Sequence, residues 1–365
     1  MSAKTDLGAE PLSPIRHAVA DLSPGYFAAV MGTGIVSIGL HTAGIEPLSA
    51  VLMWIAAILY VVLWALYISR AIRFWHRVVG DLRDPQVAFA YFTVVAATDV
   101  LGVRLAVEGL GVLAGSLFLF AGLIWFVFGY VLPWQVLMIR DGRTILGHAN
   151  GTWFVWAVAS QSLAIGMAQL RPRVDDGFAQ WTGLLAVLAW SVGVILYAAM
   201  AMLVLLRVVH FGVAPQQFDP AYWVAMGALA IAVVAGAGIV QMEHTPLVDA
   251  VRPLIAATVV IFWVFCLWLI PLLIGAGIWR HALHRVPLRY VPTLWSMVFP
   301  MGMFAVASLS LGEADALPAA GTVGGVALVV AVIVWAVVLV GMLHRVLTVL
   351  WAARRGPAAA QPLTK

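Results

Sequence analysis

Ser23-Pro24-Gly25-Tyr26-Phe27-Ala28-Ala29-Val30-Met31-Gly32-Thr33-Gly34 begins a long apolar segment, and the way it begins recurs four more times along the chain. A polar residue followed by proline suits the first turn of a helix. The cap oxygen accepts from an orphan amide, and proline lacks the amide that would need a partner. Asp84-Pro85 and Asp219-Pro220 repeat the signature, and Asn150-Gly151 and Val291-Pro292 open two more segments. From residue 24 through 85, 151 and 220 to 292, the intervals are 61, 66, 69 and 72 residues. Each is too long for one membrane helix and suits a helix out and a helix back. Five hairpins around a common centre are expected, a shape that suggests a pore.

Composition fixes the class. Of 365 residues, 64% are hydrophobic and 10% charged, against about 25% charged in soluble domains. Mean hydropathy is +1.03, and apolar stretches of about 20 residues, enough to cross a bilayer core, recur throughout. The expected fold is an all-α, polytopic membrane protein. Residues 1–22 form a polar tail with no apolar signal core, 23–352 the ten-helix transmembrane domain, and 353–365 a second tail. The single cysteine, Cys266, allows no intramolecular disulfide. Walker, dinucleotide-binding, zinc-protease and nucleophile-elbow motifs are missing from the sequence, so an ATP-driven pump in this one chain is disfavoured. His281 and His284 lie three apart in a basic loop without a third ligand. No cofactor, metal or nucleic-acid partner is expected; the partners expected are the lipid bilayer and a small solute.

Ten spans can be drawn, near Pro24–Ala43, Leu48–Ile68, Gln86–Val107, Leu110–Leu137, Gly151–Leu170, Phe178–Leu206, Pro220–Met242, Pro253–Ile278, Pro292–Leu311 and Ala319–Trp351. With these spans, 16 of the 20 Lys and Arg residues fall on the side shared by the termini; Arg104, Arg171, Arg173 and Arg252 fall opposite. Short basic loops stay in the cytoplasm, so a multi-pass protein of the cell (inner) membrane with both termini cytoplasmic is expected. The odd-numbered helices carry small and polar residues and the even-numbered ones are uniformly bulky. An inner ring of odd helices within an outer ring of even ones follows, with a compact bundle lacking a pore as the alternative.

Several residues are candidates for the path. Gly32-Thr33-Gly34 leaves room for an ion and offers a hydroxyl, or else forms a packing seam. Pro300 deprives the Ser296 carbonyl of an amide and should bend the ninth helix beside Phe299. Counting equally from the five openings levels Met31, Phe92, Val158, Gly227 and Phe299 as an apolar constriction. Gln161 is one of the polar groups on the odd helices. Asp99 is the one acid well inside a span, roughly 21 Å beyond Pro85 and so nearer the outer face. It is a candidate for proton coupling, or an acid satisfied at a wet vestibule. Arg104, five positions further on, is poorly placed to pair with it.

The stretch Pro24–Gly34, the run Pro220-Ala221-Tyr222-Trp223-Val224-Ala225-Met226-Gly227-Ala228-Leu229-Ala230-Ile231, and Trp295-Ser296-Met297-Val298-Phe299-Pro300 resemble the first, seventh and ninth helices of the tellurite-resistance/dicarboxylate transporter family. That family includes plant slow anion channels, fungal malate permeases and sulfite efflux pumps. The resemblance implies five helical hairpins around a central pore, homotrimers with one pore per subunit, and a pore-occluding phenylalanine at the position of Phe299. The first-helix pattern is similar to the fungal sulfite-pump branch. Asp99 matches no motif of the family.

Two transport mechanisms stay open. No Arg or Lys lies in the middle of an odd helix, so a dicarboxylate there lacks a bidentate partner. That favours weak stabilisation of small anions, inorganic oxyanions or halide, as in a channel. Asp99 would repel anions unless protonated, as a proton-coupled C4-dicarboxylate or sulfite carrier would require. A membrane enzyme or receptor is the remote alternative, and it would need a convergent polar constellation that the sequence lacks.

Overall fold

The structure is a computed structural model and describes residues 13–138, 145–173, 175–243, 245–313 and 317–354. The expected tails lie outside these residues except for a short helix, Pro14–Ala20, and the end of the last span. Lys4, Arg140, Arg143, Arg355 and Lys365 of the charge argument also lie outside the described residues.

Ten long helices are arranged as expected. They are α1 Pro24–Thr42, α2 Glu46–Arg73, α3 Ala88–Val107, α4 Gly111–Val136, α5 Gly151–Leu170, α6 Gln180–Phe211, α7 Pro220–Val240, α8 Pro246–Leu283, α9 Pro292–Glu313 and α10 Pro318–Arg354. Among the described residues, α2 to α10 are each long and apolar enough to cross a membrane. The α1 helix follows Pro14–Ala20 across an 85° bend. Each of α1, α3, α5, α7 and α9 packs on the next, and α9 closes back on α1, so the odd helices form the inner ring. The even helices cover it and turn Trp54, Phe126 and Trp268 outward, as suits lipid.

The five openings are built alike. Each inner helix begins with a tight 3-10 turn: Pro24–Phe27, Ala88–Phe92, Gly151–Trp153, Pro220–Trp223 and Pro292–Leu294. Ser23, Asn150 and Asp219 cap these turns by accepting from the amides of Gly25, Thr152 and Ala221. Asp84 accepts from Gln86, but Pro85 opens a separate turn and α3 begins only at Ala88. The turns are tied to one another at one end of the ring. Thr93 donates to the Pro24 carbonyl, Trp153 to the Pro85 carbonyl and Thr293 to Asp219 Oδ2. Gly151 lies directly on the Ala221 backbone, and the last turn touches the first. Burial pushes the Asp219 carboxyl above its ordinary value, offset in part by the Ala221 and Thr293 hydrogen bonds and the Arg280 charge.

A second five-fold pattern holds the rings together. Each outer helix sends one aromatic polar group to the inner helix of the next hairpin. Tyr60 of α2 bonds Thr98 of α3 at 2.9 Å, and Trp125 of α4 donates to Ser160 of α5 at 2.9 Å. Trp190 of α6 donates to the Ala232 carbonyl of α7 at 3.0 Å, and Trp263 of α8 to Ser308 of α9 at 2.9 Å. Trp335 of α10 donates to Thr33 of α1 at 3.1 Å, which closes the circle.

Candidate functional site

Side-chain contacts assign the faces of the inner helices, and what they leave over lines the centre. On α1, a Cβ built at Gly32 would meet Val298 of α9 at 3.0 Å, and one at Gly34 would meet Val100 of α3 at 2.6 Å. Thr33 faces α10, and Ser37 bonds Ser49 of α2. Met31 and Ile35 remain. On α3, Thr98, Val100 and Gly102 face α2, α1 and α4, and Asp99 faces Ser162 of α5, leaving Ala96. On α5, Ser160 faces α4 and Gln161 donates to the Trp190 carbonyl of α6 at 3.1 Å, leaving Val158, Ser162 and Ile165. On α7, Gly227, Ile231 and Val234 stand opposite Gly236, which faces α8. On α9, Val298 and Gly302 face α1, Pro300 faces α7 and Ser308 faces α8, leaving Ser296, Phe299, Met303 and Ser310.

The glycine contacts also fix the register of these parallel helices. Gly32 stands level with Val298 and Gly34 with Val100, so Phe299 and Asp99 both stand level with Thr33. Ser162 joins them through its 2.6 Å contact with Asp99 Oδ2, and Gly227 is level with Pro300. This corrects the constriction expected from counting. Phe92 is not a member; it sits seven residues below Asp99, roughly 10 Å towards the opening turns. Its ring stacks on Trp156 and meets Phe128 of α4 edge-on, in the wedge between hairpins. The late start of α3 at Ala88 accounts for three of these seven residues. Asp99 accordingly lies at the central level rather than near the outer face.

Two further expectations give way to packing. The Thr33 hydroxyl points to α10 and accepts from Trp335, so it is not offered to the lumen. Gly32 and Gly34 are the packing seam, filled by Val298 and Val100. Gln161 faces the α5–α6 seam instead of the centre. Gly227 likewise packs on Pro300 of α9, while Met31, Val158 and Phe299 are buried residues for which these contacts assign no outer helix. The α9 helix stays helical through Pro300, whose ring fills the notch at Gly227, where a Cβ would come within 2.7 Å of its Cγ.

Burial varies along these stripes. Ser296 and Ser310 are half-buried, whereas Phe299 and Met303 between them are each 1% exposed. Met31 and Ile35 are buried and Ile38 is half-buried; Val158 and Ser162 are buried and Ile165 is half-buried. The middle of these stripes is buried and apolar, and the ends are half-buried. Asp99 and Ser162 meet each other between α3 and α5 at this level. Asp99 is 1% exposed, and its Oδ1 has no hydrogen-bond partner among the described residues. Arg104 is committed elsewhere: Nε to Ser37 at 3.0 Å, Nη2 to Ser49 at 3.0 Å and Nη1 to Glu108 at 2.7 Å. The sequence reading missed Ile35, Ala96 and Met303. Their spacing of three or four from Met31, Asp99 and Phe299 is the signal that could have found them.

Five helical hairpins with their odd-numbered helices in an inner ring define an all-α membrane protein of the channel or transporter class. The sequence profile of the SLAC1 voltage-dependent anion channel family matches residues 21–343, and the chain belongs to that family. An uncharacterized membrane protein of Mycobacterium tuberculosis is 48% identical over 149 residues, covering 41% of this chain and 76% of its own length. Two uncharacterized transporters of Methanocaldococcus jannaschii are more distant. One is 25% identical over 296 residues, 80% of this chain and 83% of its own length. The other is 23% identical over 292 residues, with 78% and 83% covered.

Proposed function

We propose that the chain conducts small anions, inorganic oxyanions or halide, through the lumen of the inner ring, with Phe299 as the occluding residue. The observation that carries this reading is the change in burial along α9, from half-buried Ser296 through buried Phe299 and Met303 to half-buried Ser310. A single plug about two helical turns long, with water-accessible stripes on both sides, is the arrangement a dewetted gate requires. The inner stripes carry no Lys or Arg among the described residues, which suits weak binding and easy exit. The protein lies in the cell membrane with the opening turns and both termini cytoplasmic, as the basic loops direct. It assembles as a homotrimer, as the family resemblance implies.

Phe299→Ala in proteoliposomes should raise anion flux. Unchanged or abolished flux in a folded, inserted protein would count against the gate. A second reading is favoured by the level of Asp99: a proton-coupled carrier of C4-dicarboxylates or sulfite. An ionised Asp99 repels an anion 4 Å away by about 4 kcal/mol at an effective dielectric of 20, so such a carrier would load a proton there with its cargo. Its uptake should follow an imposed pH gradient and lose that dependence in Asp99→Asn. Indifference to both removes the carrier reading.

A further inference from the structure

The flank between the first and second hairpins holds an apolar cleft of about 190 Å³. Trp64, Tyr67 and Ile68 of α2 line one side and Phe128 of α4 the other, with Phe27 of the first opening turn and Val78 completing the wall. Trp64 meets Phe120 of α4 with ring centroids 5.6 Å apart, which bridges the two helices at the end away from the opening turns. Ile68 is 52% exposed, and Trp64, Tyr67 and Phe128 are half-buried. Both helices belong to the outer ring, so this exposed side meets the bilayer.

The polar groups of the wall are already engaged or covered. The Tyr67 hydroxyl donates to the Ser23 carbonyl, and the Tyr91 hydroxyl accepts from Arg70 and donates to Asp81. The Trp64 nitrogen is buried. An apolar cavity of roughly 150 Å³ stays dry and takes benzene instead of water. This cleft is larger, and it suits a run of methylenes.

The short helix Trp75–Arg83, which supplies Val78, marks the headgroup that belongs above the cleft. Its Val78, Val79 and Leu82 are half-buried, whereas His76, Arg77 and Arg83 are exposed, and Trp75 is 57% exposed. An amphipathic helix with tryptophan and a cationic polar face lies in the headgroup layer. Nearby acids are committed: Asp81 to Arg70 at 2.7 Å, and Asp21 to Arg77. Arg73 and Arg83, both exposed, form no ion pair among the described residues. This cationic excess suits an anionic lipid phosphate.

We infer that the cleft holds one acyl chain of an anionic phospholipid from the leaflet on the side of the opening turns, with its phosphate against the short helix. The chain packs on Phe27 and Tyr67, and through the Tyr67–Ser23 bond it braces the first opening turn.

The test reconstitutes the full chain in phosphatidylcholine vesicles with a trace of phosphatidylglycerol carrying a photoactivatable diazirine in one acyl chain. Adducts are mapped by peptide mass spectrometry, with Ile261 and Phe265 on the exposed side of α8 as reference positions. Adducts should concentrate on Tyr67, Ile68 and Val78. Labelled phosphatidylcholine with the same chains should give about fivefold fewer there, the worth of one arginine at a charged membrane surface. Ala71→Trp fills the cleft, which Ala71 lines, and should cut these adducts to the reference level. Arg73→Gln combined with Arg83→Gln should keep the adducts and remove the preference between lipids. Cleft adducts at the reference level, adducts undiminished in Ala71→Trp, or equal yields from the two lipids overturn the inference. An unlabelled cleft in which Ile68→Cys joins two chains by a disulfide assigns it to a second copy and overturns the inference as well. Should Ala71→Trp fail to insert, the comparison of the two lipids on the unaltered chain still decides. Each of these outcomes leaves the anion path untouched.

Discussion

Gly151→Ala tests whether the five opening turns form a closed, tightly fitted ring. A Cβ on Gly151 would lie 2.2 Å from both the carbonyl carbon and oxygen of Ala221 and 2.4 Å from the Tyr222 amide nitrogen. Non-bonded carbon atoms settle at about 3.5–4.0 Å, so the two backbones would have to part by about 1.5 Å. Both are anchored. The Ala221 amide donates to Asp219 at 2.8 Å, and the Tyr222 hydroxyl accepts from Arg207 at 2.9 Å. On the other side, Asn150 donates to the Gln86 carbonyl at 3.2 Å and Trp153 to that of Pro85 at 2.8 Å. Overpacking costs about 1–3 kcal/mol where side chains can yield. Here backbone is in the way, so the upper end of that range is expected, a loss of several degrees in thermal midpoint. The assay is unfolding of the detergent-purified protein followed by tryptophan fluorescence. Gly122→Ala and Gly129→Ala are the controls, because a Cβ at either meets nothing within 4 Å. A midpoint for Gly151→Ala equal to that of these controls would refute the closed ring.

Other expectations are simpler. Thr33→Val removes the acceptor for Trp335 and should cost about 1 kcal/mol with anion flux in proteoliposomes unchanged; altered selectivity would return Thr33 to the lumen. Arg104→Met should destabilise by about 2–4 kcal/mol, because three charge-assisted bonds are lost from a buried side chain. Glu108→Gln should cost under about 1 kcal/mol, since that carboxylate is 39% exposed; equal effects on the two melting curves would contradict this division. The raised Asp219 carboxyl makes the folded state bind its proton more tightly than the unfolded chain does. Its stabilising contribution is therefore present at low pH and lost as pH rises through the folded value. Asp219→Asn should gain on the wild type in thermal midpoint as pH is raised from about 4 to 7, and a constant difference would refute the assignment.

The ten spans are legible in the sequence because bilayer thickness sets their length, whereas proline openings recur on outer helices too, as at Thr245-Pro246, and it is the small and polar residues that set the inner helices apart. Faces are harder to read. Helices of the inner ring touch protein on every side, so no polar stripe marks the lumen. The conspicuous polar residues mislead: Thr33 and Gln161 are satisfied by outer helices, and the lumen falls to plain residues such as Ile35 and Met303. Register is hidden for a related reason. Pro85 looks like the other openings but begins a turn, and the three residues this adds before Ala88 are part of the seven-residue offset that puts Asp99 rather than Phe92 at the level of Phe299. Phe299 keeps the position that counting gives it, because its own helix starts directly on Pro292.

The aromatic bonds between hairpins bear on how such a lumen could open. Dilating the inner ring would pull each inner helix away from the outer helix of the preceding hairpin. That would strain five hydrogen bonds worth about 1 kcal/mol each, and it would part the tied opening turns as well. Turning one phenylalanine off its preferred rotamer costs about 0.5–1.5 kcal/mol. The difference favours a gate moved by a side chain within a ring that holds its shape. It also explains the scarcity of polar groups at the centre: Thr33, Thr98, Ser160 and Ser308 are turned outward to hold the ring together. Asp99 and Ser162 bond each other between α3 and α5 at the level of Phe299, a sixth polar tie in a ring whose hydroxyls hold helices together.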